Sequence, residues 1–266
     1  MSDVKYLTVN DLASADYYGP RLWPGPHLSD KFMAQCLAIL TAYPQPIHEK
    51  IASVIKGASS GKVAISAVSA QELPGTAPYM PPAPPSYTAF YSPLARALYV
   101  PDLTKYEDLS PYRVLPMATI LHEAAHAFED PIIMDNVFDI EWPLSGSDTF
   151  RENAWNPWAA TMDALSAYVF SGRKATETQK IQWAQFDRAH MYLLQPSELF
   201  ADAMAQYYCS VSEHPDPELR ELHKSIENPD WLGLSLCKTP ELKNSLNQAR
   251  GEIYNWFADF NSKWHN

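Results

Sequence analysis

Along the first third of the chain the apolar positions alternate between two periods. Residues 29–43 place Phe32, Met33, Cys36, Leu37, Ile39 and Leu40 three and four apart, which predicts an amphipathic helix. Residues 46–56 predict a second helix, closed by Gly57. The stretch 61–69 alternates through Val63, Ile65 and Ala67, a strand signal, and 89–91 and 97–101 read as two further strands. Beyond them the pattern turns helical: 114–128, 156–170, 176–194, 196–208, 217–227 and 240–260. No internal repeat interrupts this order. The expected class is α+β with a mainly helical second half. It forms one domain of two lobes, about 1–130 and about 131–266.

Two segments stand outside the periodic pattern. Residues 73–86 are proline-dense and cannot join a sheet interior. They read as a stiff surface loop, or as a polyproline segment on which a partner docks. Residues 140–158 carry Trp142, Trp155 and Trp158 around Gly146 in a loop-like setting. Those tryptophans either wall a substrate cleft or pack the second lobe.

The candidate chemistry sits on the helix 114–128. His122 and His126 are four residues apart, roughly 40° in azimuth and about 6 Å in rise, so both imidazoles can reach one metal ion. Glu123 follows His122 directly and points to a different sector, where it can meet a water without ligating the metal. Two histidines that hold Zn²⁺ beside a glutamate base are the working parts of zinc-dependent peptide hydrolysis. The flanks fit a buried helix with one functional face: Ile120, Leu121, Ala124, Ala125 and Phe128 are apolar. Pro116 suits its first turn, and Pro131 blocks continuation past Asp130.

A zinc site needs a third protein ligand. Glu198 opens the helix that starts at Pro196 or Ser197, and Asp202 follows one turn later on the same face. Glu198 would bind the metal, and Asp202 would accept the second ring N–H of a ligating histidine. Other candidates are weaker. Asp130 suits a supporting or helix-end role, while Asp135 and Asp139 would have to return to the metal from beyond Pro131. His190 is an imidazole alternative, an oxyanion donor or an ordinary helix histidine.

His122-Glu123-x-x-His126 followed by Glu198-x-x-x-Asp202 resembles the gluzincin branch of the zincin metallopeptidases. The run Glu198-Leu199-Phe200-Ala201-Asp202 is most similar to the anthrax lethal factor and Pro-Pro endopeptidase group. That resemblance implies a zincin-like fold, with a small mixed sheet before the active-site helix and an edge strand that pairs with an extended substrate. Residues 96–101 are in the right order for that strand. It also implies one Zn²⁺ per chain and a tyrosine that stabilises the tetrahedral intermediate. Tyr192 is the nearest match, one residue closer to the glutamate than in those relatives. The expected reaction is attack of water on a peptide carbonyl, with Glu123 as general base and Tyr192 or His190 as oxyanion donor. A zinc hydrolase of a non-protein amide would carry the same residues. A non-catalytic metal-binding protein would not need Glu123.

Composition narrows the setting. The 266 residues are 46% hydrophobic and 12% aromatic, which fits a globular chain. A net charge of −11 argues against nucleic acid or an anionic membrane as partner and leaves a peptide or protein substrate. Cys36, Cys209 and Cys237 imply no disulfide framework, and Cys209 reads as a buried thiol. The N-terminus lacks the pattern of a signal peptide, and no run approaches membrane-spanning length. The expected compartment is the cytoplasm. A toxin or effector exported without a cleaved signal would begin the same way.

Overall fold

A computed structural model describes residues 4–14, 17–20, 29–55, 63–66, 89–92, 97–100, 114–130, 144–170, 195–228 and 239–264. The protein is mixed α+β and divides into two compact units. The first comprises Met1–Ile133 with Met204–Glu227, and the second Met134–Ala203 with Asn228–Trp264. The division is not a single cut, because the chain returns to the first unit at Met204.

In the first unit a short helix, α1 (Val9–Leu12), starts in a capping box. Thr8 Oγ1 accepts from Asp11 N at 3.2 Å, and the Asp11 carboxylate accepts from Thr8 N at 2.9 Å. The helices α2 (Asp30–Leu40) and α3 (Gln45–Ile55) form where the apolar spacing places them. Ser29 caps α2 by accepting from Phe32 N. Four strands make one mixed sheet: β1 (Tyr18–Pro20), β2 (Val63–Ser66), β3 (Phe90–Ser92) and β4 (Ala97–Tyr99), in the order β1-β2-β4-β3. The pairs β1–β2 and β2–β4 are parallel, while β3 runs antiparallel to β4 with Tyr91 opposite Leu98.

This order corrects one expectation. β4, the strand described within the segment 96–101, is not the edge: it is paired on both sides, and among the described residues β3 takes the edge position beside it. Strand spacing along a sequence does not encode neighbour order, and the chain doubles back from β3 to β4.

The histidine helix, α4 (Val114–Phe128), is the centre of the first unit. It packs against α2, α3, β3, β4 and the helix α8 (Pro217–Ile226). Surrounded in this way, Ile120, Leu121, Ala124, Ala125, Ala127 and Phe128 are all at or below 1% exposure. Full burial of a Leu, Ile or Phe side chain contributes about 1.5–3 kcal/mol. The alanines let neighbouring elements approach α4 closely, so larger residues there would overpack the core. Tyr43 ties the helix down further, donating its hydroxyl to Leu121 O at 2.8 Å. Its ring meets the Tyr208 ring edge-on at 5.2 Å. Tyr208 lies on α7 (Pro196–Ser210), the predicted second helix, which starts at Pro196 as expected.

The second unit is helical among the described residues. Ser147 caps a run that begins as α5 (Asp148–Phe150), widens to a π-helical turn at Arg151–Trp155 and continues as α6 (Asn156–Phe170). The loop-like setting expected for 140–158 therefore gives way to helix from Asp148 onward. Trp158 is 1% exposed, so it packs this unit's interior and does not line a cleft. The long helix α9 (Pro240–Trp264) lies against α6 and the π turn. Phe150, Phe200, Trp256 and Phe257 interlock by edge-on and tilted contacts of 5.0–5.3 Å. Trp142, the proline-dense stretch 73–86 and the predicted helix 176–194 lie outside the described residues. No helix among the described residues is long and apolar enough to cross a membrane.

Candidate metal centre

On α4, His122 and Glu123 are each 5% exposed, while His126 is half-buried. The two imidazoles meet edge-on, with centroids 4.6 Å apart and planes at 80°. Their Nε2 atoms face each other at 3.0 Å. Two neutral rings can share one proton in such a contact, but a cation satisfies both lone pairs at once. Zinc–nitrogen distances of about 2.0–2.1 Å in a tetrahedron put the two nitrogens roughly 3.3 Å apart. The observed spacing is close to that, so the pair fits a shared metal.

Glu198 stands in the first turn of α7 and is half-buried. One ligand atom from each of His122, His126 and Glu198 lies within 4.8 Å of the other two. Two imidazole nitrogens and one carboxylate oxygen suit Zn²⁺, which takes nitrogen and oxygen donors in four-coordinate sites and keeps one position open for chemistry. Local packing holds Glu198: Leu199 and Phe200 are fully buried, and Phe200 is wedged between Phe150 and Phe257. Asp202 is half-buried one turn further along.

Glu123 is held from a different direction. Its Oε2 accepts from Tyr91 N at 2.7 Å, a bond from the edge strand to the helix. A buried carboxylate needs such a donor, because desolvation without one costs several kcal/mol. The Tyr91 hydroxyl in turn donates to Asp130 Oδ2, and Asp130 is 4% exposed at the end of α4. The helix-end role expected of Asp130 thus gains a specific partner. Tyr91 itself escaped the sequence reading. The strand signal at 89–91 located it, but nothing in the spacing said that this strand borders the helix.

Tyr192, His190, Asp135 and Asp139 lie outside the described residues. Three other histidines are absorbed by the fold. His48 donates from Nε2 to Tyr43 O and accepts at Nδ1 from the Tyr18 hydroxyl, both at 3.0 Å. His223 accepts from Ser212 Oγ at 2.8 Å and gives its Nε2–H to Thr41 Oγ1 and Ala38 O. His214 accepts from Asp216 N and donates to Leu7 O. Burial lowers both His48 and His223 to about 4, so both are neutral at physiological pH. Cys209 is buried as expected, and desolvation raises its pKa well above the usual thiol range.

Comparison with known proteins finds no family model, curated protein or solved structure that matches this chain. Its function is therefore read from the geometry of the site.

Proposed function

We propose that this protein is a zinc-dependent metalloendopeptidase. The observation that carries the reading is the convergence of His122, His126 and Glu198 to within 4.8 Å, with Glu123 next to the first ligand. A structural zinc site is closed by four protein ligands and needs no base. Three ligands among the described residues, accompanied by a buried, hydrogen-bonded glutamate, support a hydrolytic role instead.

His122, His126 and Glu198 would hold the metal. When bound there, zinc supplies a Lewis acid that polarises a carbonyl and lowers the pKa of water towards neutrality. Glu123 takes a proton from the attacking water and returns it to the leaving nitrogen. The Tyr91 amide keeps the Glu123 carboxylate oriented while it does so. Tyr192 and His190 remain the oxyanion donors we propose from the sequence. A peptide is the substrate class we propose, because the motif His122-Glu123-x-x-His126 is that of zinc peptidases.

The test is zinc quantification alongside peptide-library cleavage, comparing wild type with Glu123→Gln. We expect one zinc per chain in both proteins and cleavage by the wild type only. Wild-type-like cleavage by Glu123→Gln, or a wild type that binds no zinc, defeats the reading.

A further inference from the structure

Tyr91 is fastened at both ends, to α4 and to the segment that leaves it. Its amide donates to Glu123 and its hydroxyl to Asp130. Glu123 lies in α4, and Asp130 follows two residues after the helix's last residue, Phe128. Tyr91 therefore runs as a strut beside the helix. It reaches from the residue next to the first metal ligand to the helix end.

The register explains why the main chain can do this. In an antiparallel pair, residues alternate between positions whose amides face the partner strand and positions whose amides face away. Tyr91 gives its N–H to Glu123 and not to Leu98 across the sheet, so it occupies an outward-facing position on the edge. An amide there is fixed only as well as its strand is fixed. Strand β3 is three residues long and, among the described residues, has one partner strand, β4. Side-chain contacts also hold it. The Phe90 ring stacks on Tyr99 at 4.5 Å with planes 12° apart, and the Tyr91 phenol is bonded to buried Asp130. A hydrogen bond to a buried carboxylate is among the stronger polar contacts a protein makes.

We propose that Tyr91 is a positioning residue for Glu123. Its amide holds the carboxylate in place, and its phenol, through Asp130, sets the depth at which strand β3 presents that amide. Asp130 thereby acts on the base through the strand, without touching it. The catalytic part of this inference rests on the reading of Glu123 as a general base. The geometric part does not.

The test uses the full-length, zinc-loaded protein with Tyr91→Phe, which removes only the hydroxyl, and Asp130→Ala, which removes the acceptor, as the variant to rely on if Tyr91→Phe folds poorly. Hydrogen exchange at the amide of residue 91, followed by NMR, should accelerate roughly tenfold in either variant. The double variant should add little to either single one, because both break the same bond. On a cleaved peptide, kcat should fall roughly tenfold with KM within about twofold, zinc content staying at one per chain. Unchanged exchange in both variants overturns the inference, as does a loss confined to KM. If the wild type cleaves no peptide, the proposed function fails, and the exchange measurement alone still decides whether Tyr91 holds Glu123 through Asp130.

Discussion

His122 and His126 present their Nε2 atoms to one another at 3.0 Å, with Glu198 completing a cluster in which every ligand atom lies within 4.8 Å of the rest. Two ring nitrogens one helical turn apart reach such a spacing by adopting converging rotamers on a helix that is otherwise tightly packed.

Removing Glu198 tests the cluster directly. Glu198→Ala should lose zinc while the fold persists, since the side chain is only half-buried and its neighbours Leu199 and Phe200 carry the packing. Loss of a direct ligand should exceed the roughly 10–100-fold that removal of an outer partner costs in metal affinity. Metal analysis after dialysis, with circular dichroism as the check on folding, reads the result. Full zinc content in the variant would move the third ligand elsewhere.

Phe200→Ala should weaken zinc binding without touching a ligand. Phe200 is fully buried between Phe150 and Phe257, two residues after Glu198 in the same turn of α7. Its truncation should cost about 3–5 kcal/mol of stability by leaving a cavity. It should also loosen the turn that carries the carboxylate. Urea unfolding measures the first effect, and competition with a chelator measures the second. A destabilised variant with wild-type zinc affinity would show that Glu198 is held by something other than this aromatic anchor.

Acid should destabilise the protein before its carboxylates are fully titrated. His48 and His223 are held at about 4 by burial, against an ordinary value near 6.5 in the unfolded chain. Between those values the unfolded chain binds protons that the folded one refuses. The stabilisation is complete above 6.5 and is lost as pH falls towards 4. At about pH 5 the loss is on the order of 2 kcal/mol for each histidine. Urea midpoints at about pH 7.5 and about pH 5 should differ accordingly, and His48→Gln should flatten part of the slope. Equal midpoints in the wild type would contradict the neutral, doubly bonded state of these rings.

The chain displays its helices more openly than its sheet. Apolar spacing placed α2, α3, α4, α6, α7, α8 and α9 within a few residues, because each buries one stripe and several carry their own stops and caps, such as Ser29 and Pro217. Strand β1 was invisible: Tyr18–Pro20 offers three residues, two of them glycine and proline, and only its pairing with Val63–Ile65 makes it a strand. The edge assignment failed for the same reason, since neighbour order belongs to the fold and not to local pattern. At the candidate site, His122, Glu123, His126 and Glu198 were legible because the motif proposed to hold a metal ties spacing and residue type together. Tyr91 was not, because its contact with Glu123 is made by a main-chain amide, which any residue could supply. His48 and His223 were likewise indistinguishable by type from ligands until their bonding partners were known.

The return of the chain to the first unit at Met204 has a consequence for synthesis. When a ribosome adds Ile133 it has already translated the helix bearing His122 and His126, yet the segment Met204–Glu227 that finishes this unit is still to be made. At about 5–20 residues per second the gap lasts on the order of ten seconds. During that interval the apolar flank of α4 has no partner on α8, and Glu198 is added only near its end. The proposed metal site therefore cannot be complete until the second unit's first segment, which carries Glu198, has been translated.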